Sequence, residues 1–519
     1  MKSRLTMTLR NAFWSYFSMI VSLIIQFISR TVFIYYLGEN YLGINGLFSN
    51  VLGVLSFAEL GIGTAMNFSL YKPVAENNRE KIKSYMLYYK WAYRAIAAIV
   101  AVLGIILVPF LSYLVKDPGN IGNITIYYLI FLFNTVTSYF VSYKYSLVNA
   151  EQKNYIYTNI NLLISLTSTI IQIISLILWK SYLAYLLVAA VFGLIQKIFI
   201  SKYLDNLHPY LKETNVDRLS KEEEQTLITK VKALIIHKIG DISVHQTDNI
   251  IVSAFVSVKM VGLLSNYNLI INTINSCINV LFNSVTGSLG NLIATESKQK
   301  QYEVFCTYRF IGFWFYGFSS IALMVLLSPF ITLWIGDTMV VDDLVIGLIV
   351  LNYYMIGHRI CLNNFKSASG TFEPDKYIAL IQAIVNLVAS IIFVKLIGLP
   401  GVYWGTIIQG TISSIAKPIL VYKGLFGVSS KEYFLDSIKY GAAVFIAFIF
   451  CWTCRVYLLN TVSVMKFIIM LGIVIIVPNI MFAVFFRKRK EFSYVKSFPL
   501  KVLNKLYSGI KVKRNDSNM

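Results

Sequence analysis

The chain has 519 residues, 57% of them hydrophobic and only 14% charged, and a mean hydropathy of +0.65. A soluble globular protein carries about 25% charged residues, so that class is excluded. Forty-six Lys and Arg against 25 Asp and Glu give a net charge of +21, a balance that would suit nucleic acid if its distribution did not say otherwise. Long apolar runs recur from end to end, the pattern of an all-α polytopic membrane protein.

The N-terminus, MKSRLTMTLRNAFWSYF, has no small-residue cleavage site and runs into a helix too long for a signal-peptide core. It is expected to stay on the protein. About 14 transmembrane helices follow in order: 11–37, 43–70, 91–115, 122–145, 156–178, 183–200, 231–256, 262–289, 305–330, 340–362, 377–396, 401–422, 438–458 and 463–486. Each covers, or nearly covers, the roughly 30 Å of a bilayer core at 1.5 Å per residue.

Placing the N-terminus in the cytoplasm makes every second connection cytoplasmic. Those segments then hold about 39 of the 46 Lys and Arg, and the opposite side about four, which is the positive-inside asymmetry. The basic charge therefore serves topology and anionic lipid, with both termini in the cytoplasm and a basic tail over 487–519. The outer loops are short, such as LGENYLG (37–43) and LIGLPG (396–401). The charged stretch 201–230 reads as a cytoplasmic linker with surface helix at 219–230. It separates an N-terminal six-helix bundle (1–200) from a C-terminal one (231–422), with two peripheral helices at 423–486. The hairpins LGENYLGINGLFSN (37–50) and SVKMVGLLSNYNLI (257–270) each put a glycine, Gly43 or Gly262, at the start of a returning helix. That is what two parallel, pseudo-symmetric repeats would give.

Many spans carry a polar stripe at helical spacing. Span one has Asn11, Ser15, Ser18, Ser22, Gln26 and Ser29, with Arg30 beside them; span two has Asn45, Ser49, Ser56 and Glu59; span five has Ser165, Ser168 and Gln172. Single Ser and Thr residues are commonly glue between helices. Span eight differs: Asn268, Asn272, Asn275, Asn279 and Asn283 put five amides on one face, and amides suit sugar hydroxyls as donors and acceptors. Together the stripes imply a hydrated chamber.

The ionisable residues of the spans have two readings each. Arg30 either snorkels to the interface marked by Tyr35 and Tyr36, or faces the stripe and holds a phosphate bidentately. Glu59 either pairs with a cation or titrates in a transport cycle. Arg359 is interfacial or touches substrate. Span seven carries His237, Asp241, His245 and Asp248 within about 80° of one face. Charge is expensive in hydrocarbon, so that face should point inward and act in proton coupling or a charge network.

Some chemistry is missing. There is no GxxxxGK[ST] loop, no HExxH and no outer domain with paired carboxylates. Cys451 and Cys454 form a CxxC inside an apolar span without further ligands, while Cys277, Cys306 and Cys361 are scattered. No catalytic residue, metal or cofactor is expected.

The stretches YLGENYLGINGLFSNVLGVLSFAELGIGTAMNFSLYKPVAENNREKIKSY (36–85), HKIGDISVHQTDNIIVSAFVSVKMVGLLSNYNLI (237–270), GSLGNLIATES (287–297), LWIGD (333–337), GTFEPDKY (370–377) and GLPGVYWGT (398–406) set the family resemblance. In them the chain resembles the Wzx-type flippases of O-antigen and capsule export, within the multidrug/oligosaccharidyl-lipid/polysaccharide exporter superfamily. The resemblance implies two six-helix bundles in a V that alternate between inward- and outward-open states in the bacterial cytoplasmic membrane. It implies an undecaprenyl-diphosphate-linked glycan as cargo, with glycan polymerase and chain-length proteins as further partners. It maps a cationic lumen onto Arg30 and Arg359, and the expected sugar contacts are Asn268, Asn272, Asn275 and Asn279. The lumen is lightly cationic for such a flippase, and span seven adds two acids. The alternatives are a drug or cation antiporter of the same superfamily, or a membrane glycan polymerase.

Overall fold

The structure is a computed structural model. It describes residues 4–59, 62–151, 153–213, 216–369 and 376–497, with side chains described in these except at 4–13, 15–16, 57–58, 64, 154–156, 212, 230, 232–245, 287 and 376. It is all-helical among those residues. In order the helices are α1 (Arg4–Leu55), α2 (Ile62–Ala75), α3 (Arg79–Leu107), the short α4 (Leu111–Leu114), α5 (Ile124–Ala150), α6 (Asn154–Trp179), α7 (Tyr182–Leu207), α8 (Lys221–Ile251), α9 (Val258–Ser284), α10 (Thr286–Thr295), α11 (Lys298–Ile335), α12 (Asp343–His358), α13 (Ile360–Ser369), α14 (Lys376–Ile397), α15 (Leu399–Val421), α16 (Lys431–Leu458) and α17 (Val464–Phe486).

Eleven helical runs among the described residues are long and apolar enough to cross a bilayer. The expected count was about 14, and the difference has physical reasons. Spans one and two merge in α1, whose helical path breaks only at Gly38 (φ 81°, ψ −178°), a conformation cheap for glycine alone. Span two does not continue to residue 70 as one helix: it tightens into a 3-10 turn at Ser56–Glu59 before α2 begins. Span seven lies in α8, much of it over side chains outside the description, and span twelve is α15, whose Gly, Ser, Thr and Gln residues dilute its hydropathy. The surface helix expected at 219–230 is the first part of α8. A capping box starts it, in which the Ser220 hydroxyl accepts from the Glu223 amide at 3.3 Å and the Glu223 carboxylate accepts from the Ser220 amide at 3.2 Å.

The chain divides into two compact units: residues 1–265 with 379–405, and residues 266–378 with 406–519. The division falls inside α9.

In the first unit α1 packs on α6 and α8, and α5 on α3 and α7. Small side chains permit the closest approach. A Cβ on Gly43 would sit 1.9 Å from the Val258 carbonyl oxygen, and one on Gly262 would sit 2.1 Å from that of Glu39. Each glycine thus meets the carbonyl four residues before the other glycine, the reciprocity of an isologous contact. Lys259 closes the crossing with an ion pair to Glu39 at 2.7 Å. Where α5 and α7 end, buried Lys144 reaches Asp205 at 2.6 Å and Ser201 at 2.8 Å. Just beyond α5, Glu151 meets Lys153 at 2.9 Å and His208 at 3.4 Å. Burial pushes the Glu151 carboxyl up, but those two partners outweigh it and hold it below the ordinary glutamate range. A depressed carboxylate contributes stability at neutral pH that is lost as acid protonates it.

In the second unit α16 and α17 pack on α11 through an aromatic core. Phe313 stacks on Tyr440 with centroids 4.3 Å apart, and Phe310, Phe482 and Phe486 fill the space around them. At the other end of α16, Arg455 donates from Nη2 to both carboxylate oxygens of Asp343 at 2.8 and 3.0 Å and from Nη1 to the Met324 carbonyl at 3.0 Å, and it lies over Trp452. Asp343 also accepts from Ser328 at 3.0 Å. Arg455→Met is expected to lower stability by about 1–2 kcal/mol, the buried-pair value discounted because Asp343 is well exposed. Thermal melting of a double-mutant cycle with Asp343→Asn checks it: strictly additive losses would mean that the pair is not coupled.

Candidate functional site

The break at Gly38 builds the site. A straight helix would hold Gln26 and Ser49 about 34 Å apart. Instead both line one cavity of about 330 Å³, so the second half of α1 folds back beside the first. The first half contributes Ile25, Gln26, Ser29, Arg30 and Phe33, and the second contributes Leu42, Asn45, Gly46 and Ser49. Thr169 and Gln172 come from α6, Tyr185 from α7 and Ser265 from α9. Gln172 is buried and reaches the Tyr185 carbonyl at 3.4 Å.

Arg30 is partly buried and donates from Nη1 to the Ser265 hydroxyl at 2.8 Å, while that hydroxyl donates to the Gly262 carbonyl at 2.7 Å. The guanidinium is thereby held at the cavity wall by a neutral partner. Its polar neighbours in the wall are amides, hydroxyls and a phenol, beside the apolar Ile25, Phe33 and Leu42, and no carboxylate is among the described lining residues. Such a wall offers a fixed positive charge and donor–acceptor groups for hydroxyl-rich or phosphorylated matter.

The other expected residues fall elsewhere. Glu59 ends the 3-10 turn and accepts from the Tyr93 hydroxyl at 2.9 Å. Tyr139 donates to Ser56 in the same turn at 3.0 Å. Glu59→Gln keeps an acceptor for the phenol and is expected to fold as the parent does. Glu59→Leu strands the buried Tyr93 hydroxyl and is expected to cost about 1–3 kcal/mol, read by thermal melting in detergent. The asparagine ladder lies on α9, beyond the cavity. Asn275 and Asn279 accept from Tyr316 at 3.1 and 3.3 Å, so these two amides tie α9 to α11, while Asn272 and Asn283 are exposed and Asn268 is half-buried. Arg359 caps α12, is buried and donates to the Gly410 carbonyl at 2.7 Å. The side chains of His237, Asp241 and His245 lie outside the described residues. Asp248 is half-buried and interacts electrostatically with Tyr403 on α15; the adjacent Thr247 accepts a long 3.5 Å contact from Asn386 on α14.

Ser265, Tyr185 and Thr169 are cavity residues that sequence reasoning missed. A signal existed for Ser265: it stands three residues before Asn268 and continues the ladder's spacing. Tyr185 carried none, since a tyrosine near a span end reads as an interface anchor.

The geometry and fold define an all-helical, polytopic membrane protein with a polar, cationic cavity in its first unit. The MatE family model matches residues 15–178, the stretch that holds most of that cavity. Among solved structures the fold is similar to the lipid II flippase MurJ in an inward closed conformation, at 15% identity and a TM-score of 0.62 over 92% of this chain and 98% of that one. It is also similar to an inward-facing multidrug resistance MATE family transporter of the MOP superfamily, at 14% identity and a TM-score of 0.60 over 76% of this chain and 92% of that one. A Vibrio cholerae MATE transporter, VcmN, follows at 12% identity and a TM-score of 0.52, over 82% and 98%. No curated protein matches the chain. The chain thus has the fold of the MATE transporters and of MurJ.

Proposed function

We propose that this protein is a flippase for undecaprenyl-diphosphate-linked oligosaccharide repeat units in the bacterial cytoplasmic membrane, serving capsule, O-antigen or exopolysaccharide synthesis. The observation that carries the reading is the composition of the Arg30 cavity: one guanidinium among amides and hydroxyls, with no acid among its described lining residues. A diphosphate asks for a fixed cation, and sugars ask for groups that both donate and accept. The fold shared with a lipid II flippase supports the same reading.

Arg30 neutralises part of the phosphate charge. Gln26, Asn45, Ser49 and Gln172 replace the hydration of the sugars, and the lipid tail stays in the bilayer. Alternating access between two repeats, each opened by a glycine hairpin, carries the cargo across without breaking a covalent bond, so the protein is a transporter and not an enzyme. Glu59 and the span-seven group His237, Asp241, His245 and Asp248 are the candidates for coupling. The two repeats correspond to the bundles at 1–200 and 231–422, with both termini and the 201–230 linker in the cytoplasm. Glycan polymerase and chain-length proteins take the product on the outer side.

A multidrug or cation antiporter shares the fold, but a cationic drug would call for a carboxylate in the binding wall. The test is deletion of the gene. Lipid-linked repeat units are expected to accumulate on the cytoplasmic face, while unchanged glycan export with lost drug resistance would replace this reading by the antiporter.

A further inference from the structure

A cluster in the second unit uses none of the chemistry above. Arg309 on α11 and Arg359 at the end of α12 are 3% and 6% exposed, so both guanidinium groups are sealed within the protein. Their partners are neutral. Arg309 donates from Nη2 to the Tyr433 carbonyl and the Ser437 hydroxyl, both at 2.7 Å, and lies over the Tyr433 ring at 3.8 Å. Arg359 donates to the Gly410 carbonyl. Among the described residues no carboxylate comes within ion-pair distance of either. Asp436 and Glu491 act electrostatically on Tyr440 and Cys306, as Arg309 does, and Asp436 is paired with Arg489.

Arginine does not give up its proton in proteins, so this region cannot discharge itself. Burying an ion is costly, and neutral hydrogen bonds with the Tyr433 and Tyr440 ring contacts offset that only in part. Around the same spot, buried polar atoms lack a hydrogen-bond partner: Arg309 Nε, His358 Nδ1 and the hydroxyls of Tyr354 and Tyr433. They belong together. The His358 ring stacks against Tyr354 with centroids 5.8 Å apart, lies 5.7 Å from Tyr433, and shares the Ser437 hydroxyl with Arg309. Three of the four unpartnered atoms, the Nε–H and the two phenols, are hydrogen-bond donors. Two fixed positive charges, no carboxylate among the described residues within ion-pair distance of either, and idle donors ask for an anion.

We propose that this cluster binds a small inorganic anion, chloride in particular, as a structural counter-ion to Arg309 and Arg359. The unpartnered atoms are closed off from solvent, which selects a compact, fully dehydrated monovalent ion over a phosphate or a lipid headgroup.

The experiment uses the full-length protein in detergent. It is purified in sodium gluconate, melted while sodium chloride is titrated against gluconate at constant ionic strength, then titrated with sodium phosphate in a parallel series. A saturable rise in melting temperature with chloride is expected, with none from phosphate. Tyr354→Phe and Tyr433→Phe remove a donor without changing charge and are each expected to weaken the apparent chloride affinity about tenfold. Tyr457→Phe, at an exposed position, is expected to leave it unchanged. Crystals grown in bromide should show anomalous density beside Arg309 Nε, a readout that does not depend on any variant folding. Identical melting in chloride and gluconate, stabilisation by phosphate alone, or bromide density absent from this cluster would each overturn the proposal.

Discussion

On the proposed function, Arg30→Ala is expected to cut export of lipid-linked glycan by about tenfold or more while the protein still reaches the membrane. The guanidinium is the only cation among the described lining residues, and a charge-assisted, bidentate grip on a phosphate is what the remaining amides and hydroxyls cannot supply. Arg30→Lys is expected to fall between the two, because a lysine keeps the charge but presents no planar fork. The measurement is the amount of lipid-linked repeat unit retained on the cytoplasmic face in cells carrying each variant, normalised to protein level. Ser265→Ala supplies a graded comparison. It removes the hydroxyl that fixes Arg30 and leaves the charge, so its effect should be smaller than that of Arg30→Ala. Wild-type export by Arg30→Ala would remove phosphate binding from this cavity, whatever the cargo is.

The second large effect is expected at the glycine crossing. An alanine at Gly43 or Gly262 drives a methyl group to about 2 Å from a backbone carbonyl of the opposing helix. No rotamer relieves this, because the clash is between Cβ and main chain. The helices must separate, which loosens the packing around Leu42, Ile44 and Val261, all buried. The expected cost is about 3 kcal/mol or more, at the upper end of overpacking penalties. Gly441→Ala and Gly472→Ala are suitable controls, since a Cβ at either meets nothing within 4 Å. Thermal melting of the four purified variants should show two strongly lowered transitions and two near the parent. If Gly43→Ala melts with the controls, the crossing is not close-packed.

Much of this arrangement was legible in the chain. Apolar runs located nearly every helix, because bilayer thickness fixes the length of a span. The polar stripe of span one led to Gln26, Ser29 and Arg30, and those of spans two and five to Asn45, Ser49 and Gln172. The hairpin glycines stood out as a weak repeat, and their reciprocal contact gives that repeat a geometric meaning. What the pattern could not convey was where a stripe points. The ladder on α9 has the same periodicity as the stripe on α1, yet Asn275 and Asn279 face Tyr316, and only the partner helix decides between gluing and lining. The Gly38 reversal was legible as a loop but not as a single glycine step. Of the buried arginine cluster only Arg359 stood out, since Arg309, His358 and Tyr433 lie far apart in the chain and meet only when α11, α12 and α16 pack.

The aromatic seam between α11 and the last two helices has a practical corollary for anyone building hybrids of such proteins. Phe310 and Phe313 are shaped to Tyr440, Phe482 and Phe486, and Asp343 is keyed to Arg455. A chimaera joined between α15 and α16 would set one parent's rings against another's and leave a carboxylate facing a foreign side chain. Crossover points that respect this seam move residues 298–358 and 431–486 as a single inheritance, and donor fragments should be cut accordingly.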